Sequence, residues 1–262
     1  MWLISSTGAD FIARLRTLFR TAAVSWAVLR LITKREAWPR TVREQIGKQI
    51  FFTGYDALGL TLLIAAGVGV SVVAQGQVWL ARFGQSDMLG PLLVAVIFRE
   101  AAPLLVGFLV IARSGTAIVT ELATMQVHGQ IRALDIQGVD PMIYLVLSRT
   151  IGTTISVVCL SVFFISMALA VGFLFGLAME VGTRDAIVFI ESVLKPIQLR
   201  DILSLLAKTI LPGLLTGVIC CVEGLSIKGL ATEVPQAATR AVVRSIAALL
   251  VISAVVSLLA SI

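Results

Sequence analysis

The chain reads as an all-α polytopic membrane protein, with an N-terminal interfacial amphipathic helix, five transmembrane helices and a cytoplasmic helix between spans two and three. Three observations predict this. Of its 262 residues 58% are hydrophobic and 14% charged, against roughly 25% charge in an average soluble domain. The apolar residues gather into five runs of the length a bilayer core demands, about 20 residues each. The basic residues gather on one side of those runs, as they do in membrane proteins.

An N-terminal segment, residues 1–50, precedes a five-span domain, 51–262. Within the segment, Asp10 to Lys34 places Phe11, Leu15, Leu18, Ala22, Trp26 and Leu29 at helical spacing, while Arg14, Arg16, Arg20 and Arg30 interrupt the run too often for a span. Such a helix lies in the interface, with Trp26 at headgroup depth. It lacks the uninterrupted apolar core and small-residue cleavage site of a signal peptide. The spans are expected at about Thr53–Leu80, Met88–Ala112, Thr150–Met179, Ile202–Val222 and Ser245–Ile262. The third is long: at 1.5 Å per residue it makes about 45 Å of helix against a core of about 30 Å, so it tilts or projects. Gly172 with Gly176, and Gly213 with Gly217, offer small faces for close helix packing. Between spans three and four, "EVGTRDAIVFIESVLKPIQLRD" has mixed charge and room for a short helix. Spans four and five are joined by a compact polar turn.

Orientation follows from charge. Fifteen Lys/Arg fall on the side of the N-terminus and four, Arg82, Arg184, Lys195 and Arg200, on the other. The N-terminus is therefore expected in the cytoplasm and, after five spans, the C-terminus outside it. The net charge of +6 comes wholly from the first fifty residues, whose nine basic residues face three acidic ones. That is the pattern of a membrane-surface segment, and no folded basic domain with stacking aromatics points to nucleic acid.

Between spans two and three, "ELATMQVHGQIRALDIQGVDP" is charged and amphipathic. Met125, Ile131, Leu134 and Ile136 make a partial apolar face, and Gly138 followed by Pro141 supplies a stop. Taken alone it suits either docking on another protein or a solvated connector. Glu121, Asp135 and Asp140 fit capping and partner contact better than acid–base chemistry. Inside the spans, Arg99 and Glu100 in the second and Lys208 in the fourth are costly unless paired or wet. They either line a substrate cavity or gate, or they pair helices, and Lys208 has Glu100 as its candidate partner. His128 is the only histidine and the cysteines Cys159, Cys220 and Cys221 lie in apolar runs, so neither a metal cluster nor a disulfide is indicated. The only Gly-Lys, Gly47-Lys48, lacks the upstream glycine and following Ser/Thr of a phosphate-cradling loop.

From Phe98 to Gly152 the chain closely resembles the signature region of the MlaE/YrbE permease family, the membrane subunits of MCE-type lipid-transporting ABC systems. The matching residues are Arg99-Glu100 with Pro103, Arg113-x-Gly115, Glu121-Leu122 with Met125, Gln130-Ile131 with Ala133-Leu134, Gly138-Val139-Asp140-Pro141, and Arg149. A second match is "ATEVPQAATRAVVRS", Ala231 to Ser245. The chain departs from the family at "GLATEVPQAATR", where relatives often carry a glycine-rich turn, and at Ser253, where some carry an acidic residue.

The resemblance implies a permease that moves phospholipid or a related hydrophobic lipid between a bacterial inner membrane and a periplasmic MCE-type carrier. It implies a homodimer around an apolar cavity, to which Leu58, Leu62, Val73, Phe98, Arg99, Glu100 and Lys208 are assigned. It implies a coupling helix, 121–137, that meets an ABC ATPase through Glu121, Met125, Gln130, Arg132, Asp135 and Asp140. ATP and Mg would sit on that partner, with no cofactor, metal or catalytic residue on this chain. An MCE-domain periplasmic protein and a STAS-type cytoplasmic subunit complete the implied partners. Two other classes stay open: a membrane-embedded lipid-modifying enzyme, which needs clustered carboxylates or metal ligands where this chain disperses its charges, and an ion-coupled secondary transporter, which usually shows repeated span sets.

Overall fold

The computed structural model describes residues 19–32, 40–82, 88–179, 186–227 and 230–261. Among them every regular element is helical. We number the helices α1 (19–32), α2 (Arg40–Leu80), α3 (Leu89–Val127), α4 (Gln130–Ile136), α5 (Met142–Ala178), α6 (Ala186–Leu194), α7 (Leu199–Leu225) and α8 (Ala231–Ala260). The five long ones, α2, α3, α5, α7 and α8, are apolar and long enough to span a membrane.

Every expected span is continued by helix at one end or both. α2 runs unbroken across residue 50, α3 continues past Ala112 to Val127, α5 begins at Met142 and α8 at Ala231. Hydropathy sees only the portion that matches lipid, whereas the backbone stays helical into water wherever no breaker intervenes. The expected single helix over 121–137 is a correction of the same origin. Residues 121–127 finish α3, and the chain turns at Gly129 before the seven-residue α4.

Two left-handed glycines punctuate that turn, Gly129 at φ 69° and Gly138 at φ 77°, where a Cβ would strain the backbone. Gly138 closes α4 in a Schellman motif: its N–H donates to the Asp135 carbonyl (3.0 Å) and that of Val139 to Leu134 (3.1 Å). Asp140 then starts α5, its carboxylate accepting the Met142 N–H at 2.8 Å, with Pro141 preset for the first turn.

α5 is the central staff, packed against α2, α3 and α7. Its close contacts are made by glycine. Gly172 faces Val73 and the Gly69 backbone of α2, while Gly213 and Gly217 of α7 lie against Thr150, Thr153 and Thr154. The small faces expected at Gly172, Gly213 and Gly217 are thus used. Several buried hydroxyls of α5 and α7 donate to their own helices, as Thr150 does to Val146 (2.8 Å) and Thr209 to Leu205 (2.9 Å), while Ser156 of α5 donates to the Ile50 carbonyl of α2 (3.4 Å). α7 is the most enclosed span, 67% of its apolar stretch buried, followed by α3 at 50%, against 28% for α2 and 17% for α8.

α1 follows the expected amphipathic pattern over 19–32; the rest of the Asp10–Lys34 segment, with Phe11, Leu15 and Leu18, lies outside the described residues. Phe19, Trp26 and Leu29 face outward, with the Arg30 guanidinium 5.3 Å over the Trp26 ring. A second apolar stripe, Val24, Val28, Leu31 and Ile32, packs on the cluster of Ile118, Leu122 and Leu145 and ties α1 to the α4 end of the bundle. α6, the short helix expected between the third and fourth spans, buries Phe189 and Val193, and its Ser192 backbone rests on Gly90 of α3.

These close approaches set a stability test. A methyl at Gly69 would meet the Ala168 backbone, whereas Gly67 has open space. Gly69→Ala should cost about 1–3 kcal/mol, an overpacking penalty, and Gly67→Ala should leave the melting temperature of the detergent-solubilised protein unchanged or slightly raised. Equal melting temperatures for the two variants would show that the α2–α5 contact yields freely.

Candidate functional site

The charges inside the spans meet between α3 and α7. Lys208, 2% exposed, brings Nζ to 2.7 Å from Glu100 Oε1 and donates to the Arg99 carbonyl at 2.8 Å. Arg99 is bidentate to Asp201, Nε to Oδ1 at 2.8 Å and Nη2 to Oδ2 at 3.2 Å. Ser257 of α8 donates to Glu100 Oε1 at 2.9 Å. Two cations and two anions cancel, which is what lets them lie in a low-dielectric bundle.

Local chemistry prepares this meeting. Pro103 has no N–H to give the Arg99 carbonyl, the partner four residues back in an α-helix, and the Lys208 ammonium donates there instead. Arg99 and Glu100 lie in a π-helical stretch, Val94–Ala101, whose wider turn re-aims the residues it carries. Asp201 lies two turns before Lys208 on the same face of α7 and also caps that helix, its Oδ2 accepting the Gln198 N–H at 3.0 Å. The α7 members are buried, Asp201 8% and Lys208 2% exposed at the side chain, while the α3 members Arg99 and Glu100 are 46% and 48% exposed. The site therefore has a fixed inner wall and an accessible outer one.

Of the other residues assigned to a cavity, Leu58, Leu62 and Phe98 are half-buried. Val73 is 1% exposed and fills the α2–α5 contact, which withdraws it from any open wall. Sequence reasoning paired Lys208 with Glu100 but missed Asp201 and Ser257. The seven-residue interval between Asp201 and Lys208 was a readable signal; Ser257 had none.

Four more ion pairs join neighbouring helices. Arg113 Nη2 lies 3.4 Å from Asp56 Oδ2, linking α3 to α2. Arg149 Nη2 lies 2.8 Å from Glu121 Oε1, linking α5 to α3. Glu223 of α7, buried, is held by Arg240 and Arg244 of α8. Arg113 lies within a π-helical stretch, Ile111–Gly115; Asp56 directly follows another, Phe51–Tyr55; and Arg149 stands just past a third, Met142–Leu147.

At the α4 end, an open groove of about 720 Å³ is lined by Thr116, Ala117, Thr120, Glu121, Thr124, Met125 and Gln130. Of the residues assigned to coupling, Gln130, Arg132, Asp135 and Asp140 are exposed, Met125 is half-buried, and Glu121 is engaged with Arg149. Ile136, 81% exposed, stands beside Arg132 and Asp135 on α4. His128 is exposed, and among the described residues no group of His, Cys, Asp and Glu could hold a metal ion.

A family model described as Permease MlaE matches residues 46–259. Protein TRIGALACTOSYLDIACYLGLYCEROL 1, chloroplastic, from Arabidopsis thaliana is 29% identical over 236 residues, 88% of this chain and 64% of that protein's length. A probable ABC transporter permease protein of Rickettsia typhi is 31% identical over 201 residues, 76% of each chain. Another, from Synechocystis, is 29% identical over 214 residues, 81% of this chain and 80% of its own.

The geometry makes Glu100 and Lys208 one energetic unit. A double-mutant cycle with Glu100→Gln and Lys208→Met, read by thermal unfolding, should give a coupling of about 0.5–3 kcal/mol, with the double variant more stable than Glu100→Gln alone because no buried ammonium is left unpaired. Additive losses would dissolve the unit.

Proposed function

Because the chain belongs to the MlaE permease family, we propose that it is the membrane subunit of an ABC transporter moving phospholipid or a related hydrophobic lipid between a bacterial inner membrane and a periplasmic MCE-type carrier. It is a multi-pass membrane protein and a transport subunit, and relatives in Rickettsia and Synechocystis carry the name of ABC transporter permease. The observation that carries the lipid reading is the neutral four-charge network on α3 and α7, half-exposed on its α3 side within apolar spans. An acyl chain suits the flanking apolar surface, and Arg99 is placed to exchange Asp201 for a phosphate headgroup, a bidentate acceptor of the same geometry. After such an exchange Asp201, 8% exposed, keeps the Gln198 N–H alone, so the phosphate contact has to repay the loss of that pair.

In this reading two copies enclose the lipid path, with the N-terminus and α4 in the cytoplasm and the C-terminus in the periplasm. ATP and Mg are held by a separate ATPase that docks on α4 through Arg132, Asp135 and Ile136, with a STAS-type subunit as a further cytoplasmic partner. Closure of the ATPase pulls α4 and, through it, α3 and α5, the helices it joins. α3 carries Arg99 and Glu100 across α7, which turns a pull at one end of the bundle into a change at the charge network.

Photo-crosslinkers placed at Arg99 and Leu62 should capture a co-purifying phospholipid, and Glu100→Ala should lower lipid movement by about tenfold while the complex with the ATPase still assembles. Crosslinks to bulk bilayer lipid alone, with normal transport by the Ala variant, would reject the site. The docking surface has its own check. The purified chain should hydrolyse no ATP, and Arg132→Glu should abolish stimulation of the added ATPase without preventing membrane insertion; hydrolysis by the chain alone, or unchanged stimulation, would contradict it.

A further inference from the structure

Arg149 heads, in size, the fully buried side chains among the described residues. It leaves the start of α5 and reaches Glu121 near the end of α3, so the two partners bracket the whole α4 loop. Nη2 lies 2.8 Å from Glu121 Oε1, Nη1 donates to the Ile118 carbonyl at 3.5 Å, and Nε has no partner. Glu121 is half-exposed and forms part of the groove wall next to α4.

The α4 loop alone would transmit motion poorly. α4 has only seven residues, set off from α3 and α5 by two glycines at positive φ. Half-buried Ile131 and Leu134 seat it on the cluster that contains Leu122 and Leu145, a nondirectional contact that can slide. The charged contact is directional. Separating α3 from α5 would leave the buried guanidinium without its carboxylate, so the pair fixes the register of the two helix ends in a way that apolar packing alone does not.

We propose that Glu121 and Arg149 are a positioning pair, a brace that makes α3 and α5 follow α4 as one body; this rests on the reading that an ATPase docks on α4. The unpartnered Nε gives the brace a second geometry, because a small inward shift of Glu121 lets its carboxylate span Nε and Nη2 side by side. Glu121 is then an internal residue of the transmission. A partner cation that captured it would strand Arg149, so docking falls to Arg132, Asp135 and Ile136.

The test uses the full chain in complex with its ATPase. A cysteine replaces exposed Val96, on α3 close to the charge network, in a background with Cys159→Ser, where the remaining Cys220 and Cys221 are fully buried. Its alkylation rate by N-ethylmaleimide is compared between the nucleotide-free and the ATP–vanadate-trapped complex. In the otherwise unsubstituted chain the rate should change by about tenfold on trapping. In Glu121→Gln, and in the double variant Glu121→Gln with Arg149→Met, the ATPase should remain bound while that change collapses. The double variant leaves no buried charge unpaired, so it decides the matter even where the single variant folds poorly. A double variant with the full change would reduce the pair to a stabilising contact and overturn the brace. So would loss of the ATPase from Glu121→Gln, which would make Glu121 a docking residue, or a Val96→Cys rate that ignores nucleotide from the start. A wild-type chain that binds no ATPase would overturn the transporter reading and the brace together, and it differs from the other failures by appearing before any substitution.

Discussion

The structure depends on how a chain this apolar accommodates the ammonium of Lys208, 2% exposed in the middle of a spanning helix. An unpaired charge there would cost several kcal/mol. Glu100, the Arg99 carbonyl left without an amide donor by Pro103, and the adjoining Arg99–Asp201 pair make burial tolerable, and in doing so they hold α3 against α7. These are the two most enclosed spans. The least buried, α2 and α8, carry large outward apolar residues such as Leu60, Leu63, Val251 and Leu258. The bundle thus places its buried charges at contacts between helices and its largest aliphatic surface outward, the arrangement lipid enforces when it is the solvent.

The remaining charges near the spans obey the same rule at different heights. Asp56 with Arg113, Glu121 with Arg149, and Glu223 with Arg240 and Arg244 each join two different helices. π-helical stretches accompany the charges on α2, α3 and α5. A π turn rotates the residues beyond it relative to a regular α-helix, and that rotation lets a side chain reach a neighbour it would otherwise miss. The ion pairs offset the cost of the irregular turns. α7, by contrast, presents Asp201 and Lys208 from regular helix two turns apart.

Close glycine contacts and charged contacts do different mechanical work. At Gly69, Gly172, Gly213 and Gly217 the backbones of α2, α5 and α7 come close, Gly69 directly against the Ala168 backbone, which packs them into one central assembly. α3 is held to that assembly by side-chain ion pairs along much of its length, at Arg99, Glu100, Arg113 and Glu121. α3 thus carries charged contacts at several heights, its Glu121 end tied to α5 and its Arg99–Glu100 stretch to α7. It also leads directly into the turn before α4.

The class of the protein, its five spans and the stop at Gly138 were legible in one dimension, because each depends on local chemistry: run length against bilayer thickness and glycine at a helix C-terminus. Arg99, Glu100 and Lys208 stood out as residues needing an explanation, since an ionisable group in an apolar run is conspicuous before any folding is considered. Helix ends were less legible. Hydropathy stops where lipid stops, whereas α2, α3, α5 and α8 continue into the polar segments, and the helix expected over 121–137 divides at Gly129. Beyond the pairing of Lys208 with Glu100, the choice of partners belonged to the assembled fold. Arg99 and Asp201 stand 102 residues apart, and Lys208 and Glu100 108. Which of many dispersed charges meet is settled by which helix faces pack and by π turns that re-aim those faces, and neither is visible until the helices come together.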